Sequence, residues 1–169
     1  MRIVLEQVQS SDWTVFDMEI DVEVSCDHDV VLTSKVIFDG QTRASATLQL
    51  DSSCKKPTMI RIDPHNRYLF TLEMNPGEDI LAETVIRAKD INNRIWAGNE
   101  LMRIGTYSSY LKLEEAVLHE PFFGVRVKIA EKLGDTNTML ATRLLARVAL
   151  REKDPMALQQ IGLGFAPCH

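Results

Sequence analysis

The chain is poor in the residues that usually announce chemistry. It has three cysteines, Cys26, Cys54 and Cys168, an odd number with no CxxC spacing. A zinc ribbon or a thioredoxin-like motif is therefore excluded. A Cys26–Cys54 disulfide between neighbouring strands is one reading; a reduced, intracellular, cytoplasmic chain is the expected one. The four histidines, His28, His65, His119 and His169, share no metal-ligand spacing. No apolar run approaches the roughly 20 residues of a membrane span, and the opening "MRIVLEQVQS" lacks the apolar core of a signal peptide. Basic charge is also short. The formal net charge is −5, which leaves no field to attract nucleic acid or an anionic membrane. GxSxG, P-loop and GxGxxG signatures are absent from the sequence.

What remains is ordinary globular material: 169 residues, 45% hydrophobic and 25% charged, enough for one large domain or two small ones. "LHEPFFGVRVKIAEKLGD" begins as half a zinc site, because His119-Glu120 is the opening pair of HExxH. The second histidine of that motif would stand at Phe123, and Pro121 interrupts the helix it needs. The pair is therefore assigned to the end of one helix and the approach to the next.

The hydrophobic period changes near "EMNPGED". Before it, the period is two. "FDMEIDVEV" sets Phe16, Met18, Ile20, Val22 and Val24 on one face and Asp17, Glu19, Asp21 and Glu23 on the other. A calcium site needs a turning loop, so the acidic row is read as a solvated face or a protected edge strand. "VVLTSKVIF" ends at the hairpin signal Asp39-Gly40. "ASATLQLD", "PTMIRID" and "YLFTLEM" follow as further strands, the last after the turn "DPHN". Short strands at this spacing predict a β-sandwich of about six strands.

After Pro76 the period is helical. Asn75 is the expected N-cap, with Pro76 first and Glu78 third in a helix whose stripe is Ile80, Leu81, Thr84, Val85 and Ala88. Four more helices are expected over roughly 92–104, 107–119, 122–133 and 136–151, with Gly105 and Gly134 as stops and a last segment from Asp154-Pro155. The fold class is therefore α+β in two segments, a β-sandwich over 1–75 and helical repeats over 76–169.

The helical half repeats itself. "RIWAGNELMRIG" from Arg94 aligns with "RVKIAEKLGD" from Arg126, and the same offset brings Leu101 onto Leu133. Such self-similarity marks stacked helical hairpins that cannot bury their apolar faces alone. Asp90, Arg94, Glu120 and Arg126 are the expected struts between repeats: each acidic residue, standing before a helix, caps it or meets its positive end, and each arginine reaches an acidic neighbour in the adjacent repeat. Val125, Ile129 and Leu133 are expected to face a partner helix. A third copy after "EKDP" lacks the arginine. Trp96, Tyr107 and Tyr110 are the candidate contacts for a protein partner, with packing within the helical unit the equal alternative for each.

The order of these segments carries a family resemblance. A short sandwich, then "ILAETVIRAKDINNRIWAGNEL", "PFFGVRVKIAEKLG" and "EKDP", resembles the C-terminal region of aminopeptidase N-type zinc metallopeptidases of family M1. It equally resembles their catalytically inactive relatives, including a large subunit of a general transcription factor. "FFGVR" within the period-32 repeat is the best of its motifs, and the resemblance spans roughly residues 7 to 156. It implies a sandwich that braces a catalytic domain and HEAT-like helices that restrict access to its active site. The family's zinc-binding HExxH and its substrate-anchoring GxMEN loop are not in this sequence, so zinc is expected only in an upstream domain. No catalytic residue, metal ligand or cofactor is assigned here. The expected function is a non-catalytic accessory module of such a protein; the alternative is a free-standing HEAT-repeat scaffold. Either way the expected partner is protein, its own catalytic domain or another chain, with self-association through the last helix as a further expectation.

Overall fold

The computed structural model describes residues 1–10, 12–26, 31–50, 54 and 56–165. The chain is α+β and divides into two compact units, Met1–Phe70 and Thr71–His169.

The first unit holds five strands among its described residues: β1 Arg2–Glu6, β2 Met18–Cys26, β3 Val31–Phe38, β4 Arg43–Thr47 and β5 Pro57–Ile62. They form two small antiparallel sheets, β1-β4 and β3-β2-β5. The period of two fixes the register. Ile20 sits opposite Val36, Val22 opposite Ile62 and Val24 opposite Ile60, so one face is continuously apolar. All six of these residues are buried.

One strand is unanticipated and one expectation is corrected. Arg2–Glu6 pairs with Arg43–Thr47 although its five residues carry only a weak alternation. "YLFTLEM" forms no strand. Asp63 and Asn66 take positive φ (48° and 52°), and the Asp63 carboxylate accepts from Tyr68 N at 2.8 Å. Tyr68, Leu69 and Phe70 are left exposed.

For the acidic row of β2 the edge-strand reading is corrected, because β2 is the central strand, while Asp17 and Glu19 do face solvent. The carboxylates of β2 are matched by cations from distant segments. Glu19 pairs with Lys35 at 2.7 Å, Asp21 with Arg67 at 2.5 Å and Glu23 with Arg61 at 2.6 Å. Register explains the last pair, since Glu23 and Arg61 stand directly opposite on β2 and β5. Cys26, at the bulged end of β2, is disulfide-bonded to Cys54 with a Cα–Cα distance of 5.2 Å. The expectation of reduced cysteines is thereby corrected for this pair. His28, Cys168 and His169 lie outside the described residues.

The second unit has six helices among its described residues: α1 Glu78–Arg87, α2 Ile91–Ile104, α3 Tyr107–His119, α4 Phe123–Thr136, α5 Met139–Ala149 and α6 Pro155–Gly164. The odd-numbered helices neighbour one another in sequence order, and so do the even-numbered ones. The helices therefore lie in two rows, with Leu81, Val85, Leu101, Leu113, Val125, Ile129, Leu133, Leu144 and Ile161 buried among them. Each such side chain contributes about 1.5–3 kcal/mol through removal from water.

The caps keep the period seen between Arg94 and Arg126. α2, α4 and α6 start after Asp90, Phe122 and Asp154, which are evenly spaced at that interval. α3 and α5 start after Thr106 and Thr138, separated by the same interval, and each threonine hydroxyl accepts from the backbone N–H of Ser109 or Ala141.

Two cap assignments change. α1 begins after Gly77, whose φ of 103° no other residue adopts easily; the Asn75 side chain accepts from Gly77 N rather than capping the helix. Gly105 does end α2, in the left-handed conformation at φ 69°. Gly134 ends nothing: α4 runs on to Thr136 and Asn137 takes the left-handed position.

Gly134 instead admits α6. A Cβ at this position would stand 2.7 Å from Gly164 Cα, below any real contact. Alanine at 134 gains about 1 kcal/mol in helix propensity but meets an overpacking cost of about 1–3 kcal/mol. Gly134→Ala is expected to lower the unfolding free energy in urea. Gly162→Ala, with nothing within 4 Å of its added Cβ, is expected to raise it by up to about 1 kcal/mol.

Candidate functional site

The sequence-expected struts meet where the odd helices end and the even helices begin. Arg94, in the first turn of α2, donates from Nη1 to Glu120 Oε1 at 2.5 Å. The Glu120 side chain is completely buried and that of Arg94 nearly so. Glu120 Oε1 also accepts from Phe122 N at 2.8 Å. It thus supplies the capping oxygen that Phe122, the N-cap residue of α4, cannot.

One period later the arrangement recurs. Arg126, in the first turn of α4, grips Glu152 through two parallel bonds, Nε to Oε2 at 2.6 Å and Nη2 to Oε1 at 2.9 Å. Its Nη1 donates to the Glu120 carbonyl at 2.8 Å. Glu152 Oε1 further accepts from the backbone N–H groups of Lys153 and Asp154, so it organises the turn before α6. Arg94 to Glu120 and Arg126 to Glu152 join equivalent residues in successive repeats, through one bond in the first and a two-bond fork in the second. Glu152 is the member that the sequence reading missed, and its spacing from Glu120 was the available signal.

Asp90 caps α2, as an acidic residue placed before a helix is expected to. Its Oδ1 accepts from Asn93 N at 2.7 Å and from Asn93 Nδ2 at 2.9 Å. His119 closes α3 with Nδ1 2.7 Å from the Glu115 carbonyl oxygen. Among the described residues, no three His, Cys, Asp or Glu side chains are placed to hold a metal ion. No helix among them is long and apolar enough to cross a membrane.

The three aromatic candidates separate. Tyr107 is 55% exposed at the start of α3. Tyr110 is buried, with its hydroxyl 3.5 Å from Thr138 Oγ1, so it is a packing residue and not a surface contact. Trp96 is half-buried and donates from Nε1 to the Leu72 carbonyl at 2.9 Å, fastening the segment before α1.

Charge at the struts has a measurable consequence. The Arg126 guanidinium beside Glu152, helped by the backbone donors at Asp154 and Lys153, holds the Glu152 carboxyl at about 2, against the opposing effect of burial. Arg126 is correspondingly raised, chiefly by its hydrogen bonds to Glu152. Glu152 is depressed on folding. Its stabilisation is therefore whole above an unfolded carboxyl's value of roughly 4.5 and is lost as pH falls toward about 2. Unfolding free energies at about pH 5 and about pH 3 are expected to differ by less in Glu152→Gln than in the parent. The contribution removed is at most about 3 kcal/mol.

A cavity of about 170 Å³ opens beside this strut, lined by Val117, Leu118, Val148, Arg151, Glu152 and Lys153 together with Glu120 and Arg126. A larger depression of about 620 Å³ lies in the first unit, between exposed Arg2, Arg43 and Asp39.

No family model, curated protein or solved structure matches this chain. Its function must therefore be argued from the strut geometry and the sequence.

Proposed function

We propose that this chain is a non-catalytic protein-interaction module, in which a small β-sandwich precedes a HEAT-like array of helical hairpins. The observation that carries the reading is the duplicated strut. Arg94–Glu120 and Arg126–Glu152 occupy equivalent places in successive repeats of helices lying in two rows. Arrays of this kind are stabilised repeat by repeat and present extended surfaces to partners.

In the first form of the reading, the partner is the catalytic domain of an M1-type zinc aminopeptidase-like protein, braced by the β unit and shielded by the helices. The order of the segments and the "PFFGVR" start of α4 support that form. In the second form the chain is a free-standing scaffold.

Metal analysis and an aminopeptidase assay with amino-acid p-nitroanilides test the shared claim. Neither stoichiometric zinc nor turnover is expected, and either one overturns it. An upstream reading frame lacking HExxH with a downstream glutamate eliminates the peptidase form and leaves the scaffold.

A further inference from the structure

We infer that the edge formed by the C-terminal ends of α1, α3 and α5 is a docking groove for an extended, acidic, leucine-rich segment of a partner protein. The inference rests on the interaction-module reading above and names the partner's chemistry. The period-32 register that aligns the struts also aligns this edge. Ile86, Leu118 and Leu150 occupy one repeat position, and Arg87, His119 and Arg151 the next. Ile86 and Leu150 are exposed, 45% and 87%, Leu118 is half-buried, and the three basic residues are all exposed. Apolar side chains thus recur at the same place on three successive helices of one row, Ile86 and Leu150 in water and Leu118 between them partly packed on the core.

Spacing favours an extended occupant. Neighbouring helix axes lie about 8–10 Å apart, and three residues of extended chain cover about 10 Å. A segment with an apolar residue at every third position therefore matches the row rung by rung. The cavity between α3 and α5 provides a pocket at one rung, with Val117, Leu118 and Val148 as its apolar wall. A volume of this order, about 150 Å³ or more, accepts a benzene-sized group.

Charge selects the sign. Arg151 and Lys153 stand at the cavity rim, and among the described residues neither side chain has a carboxylate partner. The acids beneath them are already committed, Glu152 to Arg126 and Glu120 to Arg94. On the same face, Glu83 of α1 and Glu115 of α3 are replaced by Arg147 in α5. Arg147 is itself paired with Glu114 at 2.7 Å, so among the described residues the uncompensated positive charge at the α5 end is that of Arg151 and Lys153, and the acidic residues of the partner are placed there.

The test uses the intact chain and a fluorescein-labelled peptide with leucine at every third position and glutamate between, read by fluorescence anisotropy. Saturable binding in the range of about 10–100 μM is expected. The charge-reversed peptide, lysine for glutamate, is expected not to bind. Arg151→Glu combined with Lys153→Glu should weaken binding at least tenfold, about 1.4 kcal/mol. Leu150→Ser should weaken it several-fold. Lys128→Glu, on the exposed face of α4, should leave it unchanged. Thermal melts confirm that each variant is folded. No saturable binding up to about 1 mM peptide, equal binding of the lysine peptide, or binding indifferent to the Arg151 and Lys153 reversals overturns the inference. None of those outcomes touches the non-catalytic reading, which falls only to zinc or peptidase turnover.

Discussion

Replacing Arg94 by methionine is expected to cost about 3–5 kcal/mol of folding free energy. The carboxylate of Glu120 is completely buried and takes its charge partner from Arg94 Nη1 at 2.5 Å. Methionine preserves much of the stem volume but leaves that carboxylate in low dielectric without its cation. The remaining donor, Phe122 N, carries no full charge. The number measures the penalty of an orphaned charge and not the worth of the pair. Arg94→Met with Glu120→Leu separates the two. Removing both partners should recover most of the loss, leaving the cost of the missing cap at α4, about 1 kcal/mol. Urea titrations of the two single variants and the double give the coupling energy by a mutant cycle. A double variant as unstable as the sum of the singles would show that the residues act independently.

The second large effect belongs to the first unit. The Cys26–Cys54 bond closes a loop between cysteines 28 residues apart. A loop of that length restricts the unfolded chain by about 3–4 kcal/mol on the chain-entropy account. The described strands of this unit form sheets of only two and three strands. Small sheets are marginal alone. Cys26→Ala with Cys54→Ala, or a reductant, is expected to lower the unfolding midpoint of this unit. Denaturation followed by circular dichroism with and without dithiothreitol checks it; coincident curves would remove the bond from the account of stability. A reducing cytoplasm would deprive the unit of this contribution.

Much of the fold was legible in the sequence because two periods were clean. Val22, Val24, Ile60 and Ile62 alternate with charged or polar neighbours, and their strands formed. The helix bounds near Gly105, Thr106 and Thr138 follow from local capping chemistry, which needs no tertiary information. The failures have a common physical source, contacts between residues far apart in the chain. Gly134 reads as a stop because glycine favours the left-handed cap, yet its neighbour is Gly164 of the last helix. Tyr68, Leu69 and Phe70 have strand chemistry without a strand to pair with. The partners of the β2 acids were hidden because Lys35, Arg61 and Arg67 come from other segments.

The candidate site was half visible. Aligning the repeats on their arginines identified Arg94, Arg126 and Glu120, and placed Asp90 before α2, where it caps the helix. Aligning them on the acid that follows each odd helix would have yielded Glu152 as well. Of the two roles open to Tyr110 the structure takes the packing one: with Leu113 and Val117 it lies on the inward stripe of α3, a pattern already in the sequence.

Trp96 has a use beyond fastening Leu72. The two tryptophans of the chain fall one in each unit, Trp13 in the first and Trp96 in the second. Trp13 is 65% exposed, so its emission already reflects water in the folded state. Trp96 is shielded and hydrogen-bonded to a carbonyl, and it loses both on unfolding. The red shift of intrinsic fluorescence is therefore a selective optical signal of the helical unit, while circular dichroism reports both.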